Sequence, residues 1–279
     1  MQIASQMASE SMVLLKNNGI LPLKGVGKIA VMGPMADNAH DMLGCWWGHG
    51  ENKDVVKLLT GINQEFGKSA EVRYISGCDF DGDDQSDFSQ AKELAKWADV
   101  VILCMGEKGS WSGENNSHAK IELPEIQQQL IEIVHKAGGK IVLALASGRP
   151  VILGSAVQAS DAILEIWHPG ILGGEALAGI LSGRYNPSGK LAMTFPYSQG
   201  QIPIYYNRRN SARRHQGFYK DMTSEPLYPF GYGLSYTHFT YGVPVADKLT
   251  VSKDDHFSIT IPVTNDGGMN GKEAVLWYV

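Results

Sequence analysis

The fold is decided by residues 100–124, which read VVILCMGEKGSWSGENNSHAKIELP. The first six residues are apolar and rich in valine and isoleucine, a pattern typical of a strand buried on both faces of a parallel sheet. A long loop rich in glycine and serine follows and carries Glu107, Trp111 and Glu114. Pro124 then precedes an amphipathic helix, where a missing backbone N–H costs nothing. Ligands of open α/β sheets bind beyond the carboxyl ends of the strands, so this loop is the first candidate site.

Short apolar strands and amphipathic helices alternate on both sides of this stretch. The pattern predicts further strands at 28–33, 71–75, 140–146 and 162–167. It predicts helices at 2–16, 54–66, 87–98, 125–137 and 173–181. Strands that alternate with helices form mostly parallel sheets with helices on both faces. We therefore predict an α/β fold of this type for most of the chain.

The last part of the chain, residues 237–279, has a different pattern. Phe257, Ile259, Ile261 and Val263 alternate with smaller residues, which predicts a β-strand with one buried face. The segment supplies about three strands, whereas a β-sandwich needs about seven. We expect it to be the start of a truncated β-sandwich, cut from a longer polypeptide.

Composition and charge argue against several classes of protein. The 24 Lys and Arg residues against 29 Asp and Glu give a net charge of −5, which disfavours a nucleic-acid partner. The basic cluster, which we interpret as a solvated loop, comprises Arg208, Arg209, Arg213 and Arg214. The chain has no signal peptide and no apolar run of the length that spans a bilayer. Cys45, Cys78 and Cys104 are too widely spaced for a metal site.

Two carboxylates in the long loop are the best candidates for chemistry. Glu107 and Glu114 lie on a polar segment beside Trp111, where a carboxyl group can be tuned as a general acid. Spacing alone leaves open the alternative that both are solvated surface charges. Tryptophans near the ends of predicted strands can stack on the apolar face of a sugar ring, and these are Trp46, Trp47, Trp111 and Trp167.

Three weaker motifs favour structural interpretations. Residues 79–84 (DFDGDD) lack the glycine position and the final glutamate of a calcium-binding loop. Residues 170–174 lack the full glycine pattern of a dinucleotide site, so a tight strand-to-helix turn is the better interpretation. His49, His118 and His168 have no partner ligands at a recognisable spacing. We therefore expect neither a metal ion nor a cofactor.

Several sequence blocks along the chain identify a family resemblance. They include SMVLLKN at 11–17, SGE at 112–114, NPSGKL at 186–191 and LYPFGYGLSY at 227–236. In this order the blocks resemble the C-terminal half of glycoside hydrolase family 3, in particular the periplasmic β-glucosidases of bacteria. The resemblance implies an α/β sandwich domain with its linker helix over residues 1–236. It also implies the incomplete start of a fibronectin type III-like domain over residues 237–279.

The resemblance also assigns roles to residues of the loop. In this family the α/β sandwich supplies a glutamate as general acid/base, and an N-terminal (β/α) barrel, absent from this chain, supplies the aspartate nucleophile. The SGE block matches the acid/base loop, so Glu114 inherits that catalytic role. Trp111, Ser112 and His118 are then the implied substrate-binding residues. The family commonly has an arginine at the position of His118, which leaves open how this loop is held.

The activity that follows is that of a retaining β-glycosidase, a β-glucosidase by resemblance. Its substrate would be a β-glucoside or oligosaccharide with a terminal non-reducing β-D-glycosyl group, and the protein would be periplasmic or secreted. The chain alone is expected to be inactive, since its partner in catalysis is the missing barrel. One alternative is a non-catalytic carbohydrate-binding or structural module. Another is a nucleotide-binding α/β domain, disfavoured because no phosphate loop follows the first strand.

Overall fold

A mostly parallel sheet forms the centre of the computed structural model, which describes residues 1–207 and 219–278. Its six strands are β1 (Val13–Asn17), β2 (Lys28–Met32), β3 (Glu71–Ile75), β4 (Val100–Gly106), β5 (Ile141–Ala146) and β6 (Ala162–Glu165). Their spatial order is β1-β6-β5-β4-β2-β3. Strands β2 to β6 are parallel, and β1 pairs antiparallel with β6 at the edge.

Helices cover both faces of this sheet. They are α1 (Gln2–Ser11), α2 (Leu58–Phe66), α3 (Phe88–Trp97), α4 (Glu125–Lys136), α5 (Ala156–Ala159) and α6 (Gly173–Ser182). The core cluster on one face includes residues of α1, α2 and α6, and the cluster on the other face includes residues of α3, α4 and α5. The predicted α/β fold class is therefore confirmed.

The apolar run of β4 shows why the sheet is buried on both sides. Every residue of β4 is buried. Ile102 and Cys104 belong to one core cluster, whereas Leu103 and Met105 belong to the other. Successive side chains of a strand point to opposite faces, so a strand between two helical layers must be apolar at every position. This is the physical reason for the unbroken run of apolar residues in β4.

The prediction of one helix over residues 2–16 is wrong in its second half. Helix α1 ends at Ser11, Met12 is extended, and β1 follows directly. Val13 and Leu14 are both fully buried, on opposite faces of the sheet, because β1 pairs with the edge of β6. This tertiary pairing overrides a local pattern that fitted a helix. The other predicted helices and strands are present within a few residues, and α5 is an addition to them.

The C-terminal segment forms four short strands. Strand β7 (Phe239–Tyr241) pairs with β10 (Val263–Asn265), and β8 (Val245–Ala246) pairs with β9 (Ile259–Thr260), all antiparallel. Short strands are thus present there, but the prediction of a strand with one buried face at residues 257–263 is wrong. Strands β9 and β10 pair with different partners, and Phe257, Ile259 and Val263 are exposed. The domain boundary at residue 236 and the fibronectin type III-like assignment stay predictions. The arginine cluster between residues 208 and 214 lies outside the described residues. In the part of the chain that is described, no helix is long and apolar enough to cross a membrane.

The strand order places a crevice at the carboxyl edge of the sheet. After β2 the chain passes to β3 on one side, then crosses to β4 on the other side of β2. At such a switch point the loops that follow the two central strands diverge and leave an opening. The loops after β2, β4, β5 and β6 all leave from this edge and supply the site described next.

Candidate active site

The loop after β4 begins with a buried carboxylate. Glu107 directly follows the strand and is 3% exposed. Its Oε2 accepts a hydrogen bond from Nε of Arg149, at 3.1 Å, and Arg149 comes from the loop after β5. Burial raises the pKa of Glu107, and the guanidinium of Arg149 offsets part of that rise. Glu107 is therefore half of an ion pair at the base of the loop rather than an acid that faces solvent.

We call residues 107–112 the root of this loop, and neighbouring loops hold it at three further points. Arg149 Nη2 donates a hydrogen bond to the carbonyl of Trp111. The carboxylate of Asp41, from the loop after β2, accepts a hydrogen bond from the Gly109 N–H at 2.8 Å. Ser112 Oγ lies 3.4 Å from Nε2 of His168, a residue beyond β6. The root is thus tied to three other loops at the same sheet edge.

His168 is a neutral part of this scaffold. Its Nδ1 lies 3.1 Å from the carbonyl oxygen of Asp41, which can only accept, so we assign the ring proton to Nδ1. Nε2 is then an acceptor for the hydroxyl of Ser112. Burial lowers the pKa of His168, which agrees with a neutral ring. Ser112, predicted to contact substrate, is itself buried against His168.

Behind the root lies a second buried acid, Glu165, at the end of β6. It is completely buried, and its Oε1 accepts a hydrogen bond from the Trp167 N–H at 2.8 Å. Burial raises the pKa of Glu165 well above its ordinary value of 4.5. Ser147 Oγ lies 3.2 Å from Oε2 of Glu165 and 2.7 Å from the carbonyl of Arg149. Because a hydroxyl has one hydrogen, Ser147 can satisfy both contacts only if the carboxyl of Glu165 is protonated.

The remainder of the loop, residues 113–119, we call the tip, and it carries Glu114 into solvent. Glu114 is exposed. Gly113 and Asn115 on either side have φ of +103° and +63°, so the backbone turns sharply around it. Over residues 1–207 and 219–278, the carboxylate of Glu114 has no hydrogen bond or ion pair. Glu114 is thus an exposed acid at the surface of the described structure.

Aromatic side chains flank the tip. The ring of Trp111 lies 5.5 Å from that of His118, which is exposed. A β-carbon placed on Gly113 would lie 3.7 Å from Nε1 of Trp46, which is 72% exposed. Trp46 thus lies beside the backbone of Gly113, and His118 lies against Trp111, which is half-buried. Of the residues predicted for this site, Trp111 and His118 are in contact, Glu114 and His118 are exposed in the tip, and Ser112 is buried in the root.

Comparison with known proteins identifies the family. The family model described as "Glycosyl hydrolase family 3 C-terminal domain" matches residues 12–236. The chain belongs to glycosyl hydrolase family 3. The resemblance found in the sequence is therefore confirmed.

Two curated relatives show how much of a family 3 protein this chain represents. It is 38% identical to a periplasmic beta-glucosidase of Salmonella typhimurium, covering 99% of this chain and 40% of the relative. It is 34% identical to a beta-xylosidase of Formosa agariphila, covering 100% of this chain and 40% of the relative. The chain spans about two fifths of the length of these relatives.

Solved family 3 structures share the fold. A beta-glucosidase from Listeria innocua in complex with isofagomine superposes with a TM-score of 0.84 at 37% identity, over 94% of this chain and 37% of that chain. A β-glucosidase from Erythrobacter marinus gives a TM-score of 0.85 at 33% identity, over 95% of this chain and 39% of that chain. These similarities agree with the α/β sandwich architecture described above.

Several residues considered from the family 3 sequence lie elsewhere or make structural contacts. Trp167 is half-buried, packs 6.3 Å from Phe195 and donates from Nε1 to the carbonyl of Ser11 at 3.2 Å. In the acidic loop, Asp81 pairs with Lys108 of the root at 2.9 Å. Among the described residues, no group of three or more His, Cys, Asp or Glu side chains is placed to hold a metal ion.

Sequence reasoning missed the anchors of this family 3 site, above all Arg149 and Asp41. Arg149 follows a predicted strand, but only the structure shows that this strand, β5, is the neighbour of β4. A buried carboxylate at the end of β4 needs a cation from an adjacent strand end. The residues that hold the loop are thus predictable only once strand order is known.

Proposed function

We propose that this chain is the acid/base-bearing part of a retaining β-glycosidase, with Glu114 as general acid and then general base. The observation that carries the proposal is the exposed carboxyl of Glu114, which has no partner among residues 1–207 and 219–278, at the tip of a loop whose root is anchored to three other loops. An acid/base must be rigidly placed and open to the substrate at once. The loop meets both requirements.

The chemistry proceeds in two steps in which Glu114 reverses its role. A carboxylate nucleophile attacks the anomeric carbon while the protonated Glu114 gives its proton to the glycosidic oxygen, releasing the leaving alcohol. The Glu114 carboxylate then takes a proton from water, whose oxygen displaces the nucleophile from the sugar. The nucleophile lies about 5 Å from the acid in such enzymes. We propose that an N-terminal barrel supplies it, in line with the share of the relatives that this chain spans.

The aromatic side chains around the tip are proposed to bind the sugar. Trp46 lies beside Gly113, the residue before Glu114, and Trp111 of the root lies against His118 of the tip. Stacking of a sugar on such rings orients the glycosidic oxygen toward the acid. Ser112 contributes to sugar binding indirectly, because its hydroxyl contacts His168 and so positions the backbone next to Gly113.

The substrate is proposed to be a β-glucoside or oligosaccharide with a terminal non-reducing β-D-glucosyl group. The relative with 38% identity is named a periplasmic beta-glucosidase, and the one with 34% identity is named a beta-xylosidase. The higher identity favours the glucoside, and the name of that relative supports a periplasmic or secreted protein.

The proposal is tested by joining this chain to the residues encoded upstream of Met1 and assaying 4-nitrophenyl β-glucoside, 4-nitrophenyl β-xyloside and cellobiose. We expect turnover of a β-glucoside with retained anomeric configuration, and none by the chain alone. Loss of turnover in Glu114→Gln, but not in Glu122→Gln between the tip and α4, assigns the acid. Sugar binding without turnover in the extended protein would instead support the carbohydrate-binding module.

A further inference from the structure

We infer that Arg149 is the positioning residue of the acid/base loop, because its guanidinium ties the Glu107 carboxylate to the backbone just before Glu114. The inference rests on the proposed function of Glu114, but its geometry can be tested separately. Among the described residues, Arg149 makes no hydrogen bond to residues 113–119. It acts through the root, by fixing the carbonyl of Trp111.

The two bonds of Arg149 use different nitrogens of one planar group. Nε donates to Oε2 of Glu107 at 3.1 Å, and Nη2 donates to the carbonyl of Trp111. A guanidinium holds several donors in a fixed fork, so these two bonds constrain the distance between their acceptors. A lysine ammonium is a single point of charge on a flexible stem and cannot impose the same spacing.

Both partners of this ion pair are attached to rigid strands. Glu107 directly follows β4, and its N–H donates to the carbonyl of Ala146 in β5 at 2.8 Å. The Arg149 carbonyl is held by the hydroxyl of the fully buried Ser147. The side chains of Arg149 and Glu107 are only 17% and 4% exposed. The pair is therefore shielded from water and keeps most of its strength.

The other contacts near the tip are weaker than those of Arg149. Ser112 Oγ lies 3.4 Å from His168 and 3.4 Å from the carbonyl of Gly109, both at the long end of hydrogen-bond distances. Gly113 then follows with φ of +103°, a conformation that favours glycine, and the backbone turns there. The carbonyl of Trp111 is thus the last point before Glu114 that a charged group holds, and a displacement there moves the acid.

Cys45 provides a reporter of loop position that does not depend on activity. A β-carbon on Gly113 would lie 2.8 Å from Sγ of Cys45, so the tip backbone rests on this half-buried thiol. Cys78 and Cys104 are buried, and burial raises the pKa of each thiol to about 12. At pH 8 a disulfide reagent such as 5,5′-dithiobis(2-nitrobenzoate) therefore reacts with Cys45 in preference to Cys78 and Cys104 in the folded chain.

The first experiment measures the labelling rate of Cys45 in Arg149→Met, which keeps the apolar stem and removes both bonds. We expect labelling about tenfold faster than in the wild type, because loss of a charged hydrogen bond frees the root. The matched control is Arg184→Met, which removes a guanidinium bound to Glu65 and stacked on Tyr185. Its rate should stay within about twofold of the wild type.

Equal labelling rates in Arg149→Met and the wild type would overturn the inference. If the methionine variant does not fold, Arg149→Lys is the variant to measure. Lysine keeps a positive charge opposite Glu107 but lacks the planar guanidinium that binds Glu107 and the Trp111 carbonyl together. Faster labelling in Arg149→Lys, with a thermal midpoint close to that of the wild type, supports the inference. An unchanged labelling rate in the folded lysine variant overturns it.

The second experiment uses the polypeptide that includes the proposed barrel. With cellobiose, whose leaving group needs a proton, Arg149→Met should lower kcat about 10- to 100-fold and change KM less than about threefold. With a dinitrophenyl β-glucoside, whose leaving group needs no proton, kcat/KM should fall much less, because this ratio reports the first step alone and not the base-assisted hydrolysis that both substrates share. Equal losses of kcat/KM on both substrates, or none on either, would overturn the inference. An inactive wild-type polypeptide would overturn the proposed function instead, while the labelling rates still decide the role of Arg149.

Discussion

Root and tip belong to one loop, yet their carboxylates have opposite surroundings. Glu107 in the root is 3% exposed and paired with Arg149, whereas Glu114 in the tip is exposed and has no partner among the described residues. Both acids follow the same strand and both lie near Trp111. The difference comes from the loop after β5, whose Arg149 pairs with Glu107 in the root.

This contrast separates the two functions of the loop. The root makes contacts with the loops after β2, β5 and β6, so changes there should alter stability and loop position. The tip lies beyond those contacts, so changes there should alter chemistry and leave the fold intact. Four substitutions test whether that division holds.

The largest effect is expected at the tip, in Glu114→Gln. The amide keeps the shape of the side chain but cannot donate or accept the catalytic proton, so kcat on cellobiose should fall about 10²- to 10⁴-fold. The free energy of unfolding should stay within about 0.5 kcal/mol, because the side chain is exposed. Steady-state kinetics of the barrel-containing polypeptide and urea unfolding measure the two quantities. The exposed Glu122, which lies between the tip and α4, supplies the control Glu122→Gln. Equal losses in both variants would contradict the assignment.

A large loss of stability is expected at the end of β4, directly before the root, in Gly106→Ala. Gly106 has φ of +140°, and a β-carbon there would lie 1.8 Å from the carbonyl oxygen of Ala146. Strain and overlap together should cost about 2–5 kcal/mol of the free energy of unfolding. Gly138→Ala is the matched control, since Gly138 has φ of +86° but open space around it. Similar losses at both positions in urea unfolding would show that the close approach to β5 is unimportant.

A pH-dependent effect is expected behind the root, in Glu165→Gln. The folded state raises the pKa of Glu165 above 4.5, so its contribution to stability is complete below pH 4.5 and is lost as the pH rises through the folded value. Glutamine cannot ionise and avoids that loss. The variant should match the wild type within about 1 kcal/mol at pH 4 and become more stable relative to it as the pH rises. Urea unfolding between pH 4 and pH 9 checks this, and parallel stability curves would exclude a protonated Glu165.

The smallest effect is expected from His118→Ala. The exposed ring lies 5.5 Å from Trp111, and a pair of this kind contributes about 0.5–1.5 kcal/mol. We expect KM for cellobiose to rise about two- to fivefold with kcat within about twofold of the wild type. Steady-state kinetics of the barrel-containing polypeptide measure both. A kcat lowered tenfold or more would place His118 in the chemistry rather than in the wall of the site.

Much of this architecture was predictable from local patterns. The apolar run at 100–105 marked a strand buried on both faces, and Pro124 marked the start of α4. The SGE block singled out Glu114. Its resemblance to the family's acid/base loop implied the role of general acid/base, which residue spacing alone did not indicate. In each case the informative residues are close together in the sequence.

The remaining features depend on pairing between distant segments. Residues 13–17 form a strand only because β6 offers an edge, and a short apolar run fits a helix equally well. Arg149 and Asp41 reach the loop from other strand ends, and no periodicity marks such side chains. The burial of Glu107 could not be inferred until its partner was known.

The antiparallel pairing of β1 with β6 has a consequence for biosynthesis. Val13 pairs with Glu165, so a strand made among the first residues of this chain meets its partner only after the whole parallel sheet has emerged. Until then β1 presents an open edge, which is prone to wrong association. The contact also joins segments far apart in sequence, a feature of slowly folding topologies. During synthesis on the ribosome, β1 therefore stays unpaired until β6 has been made.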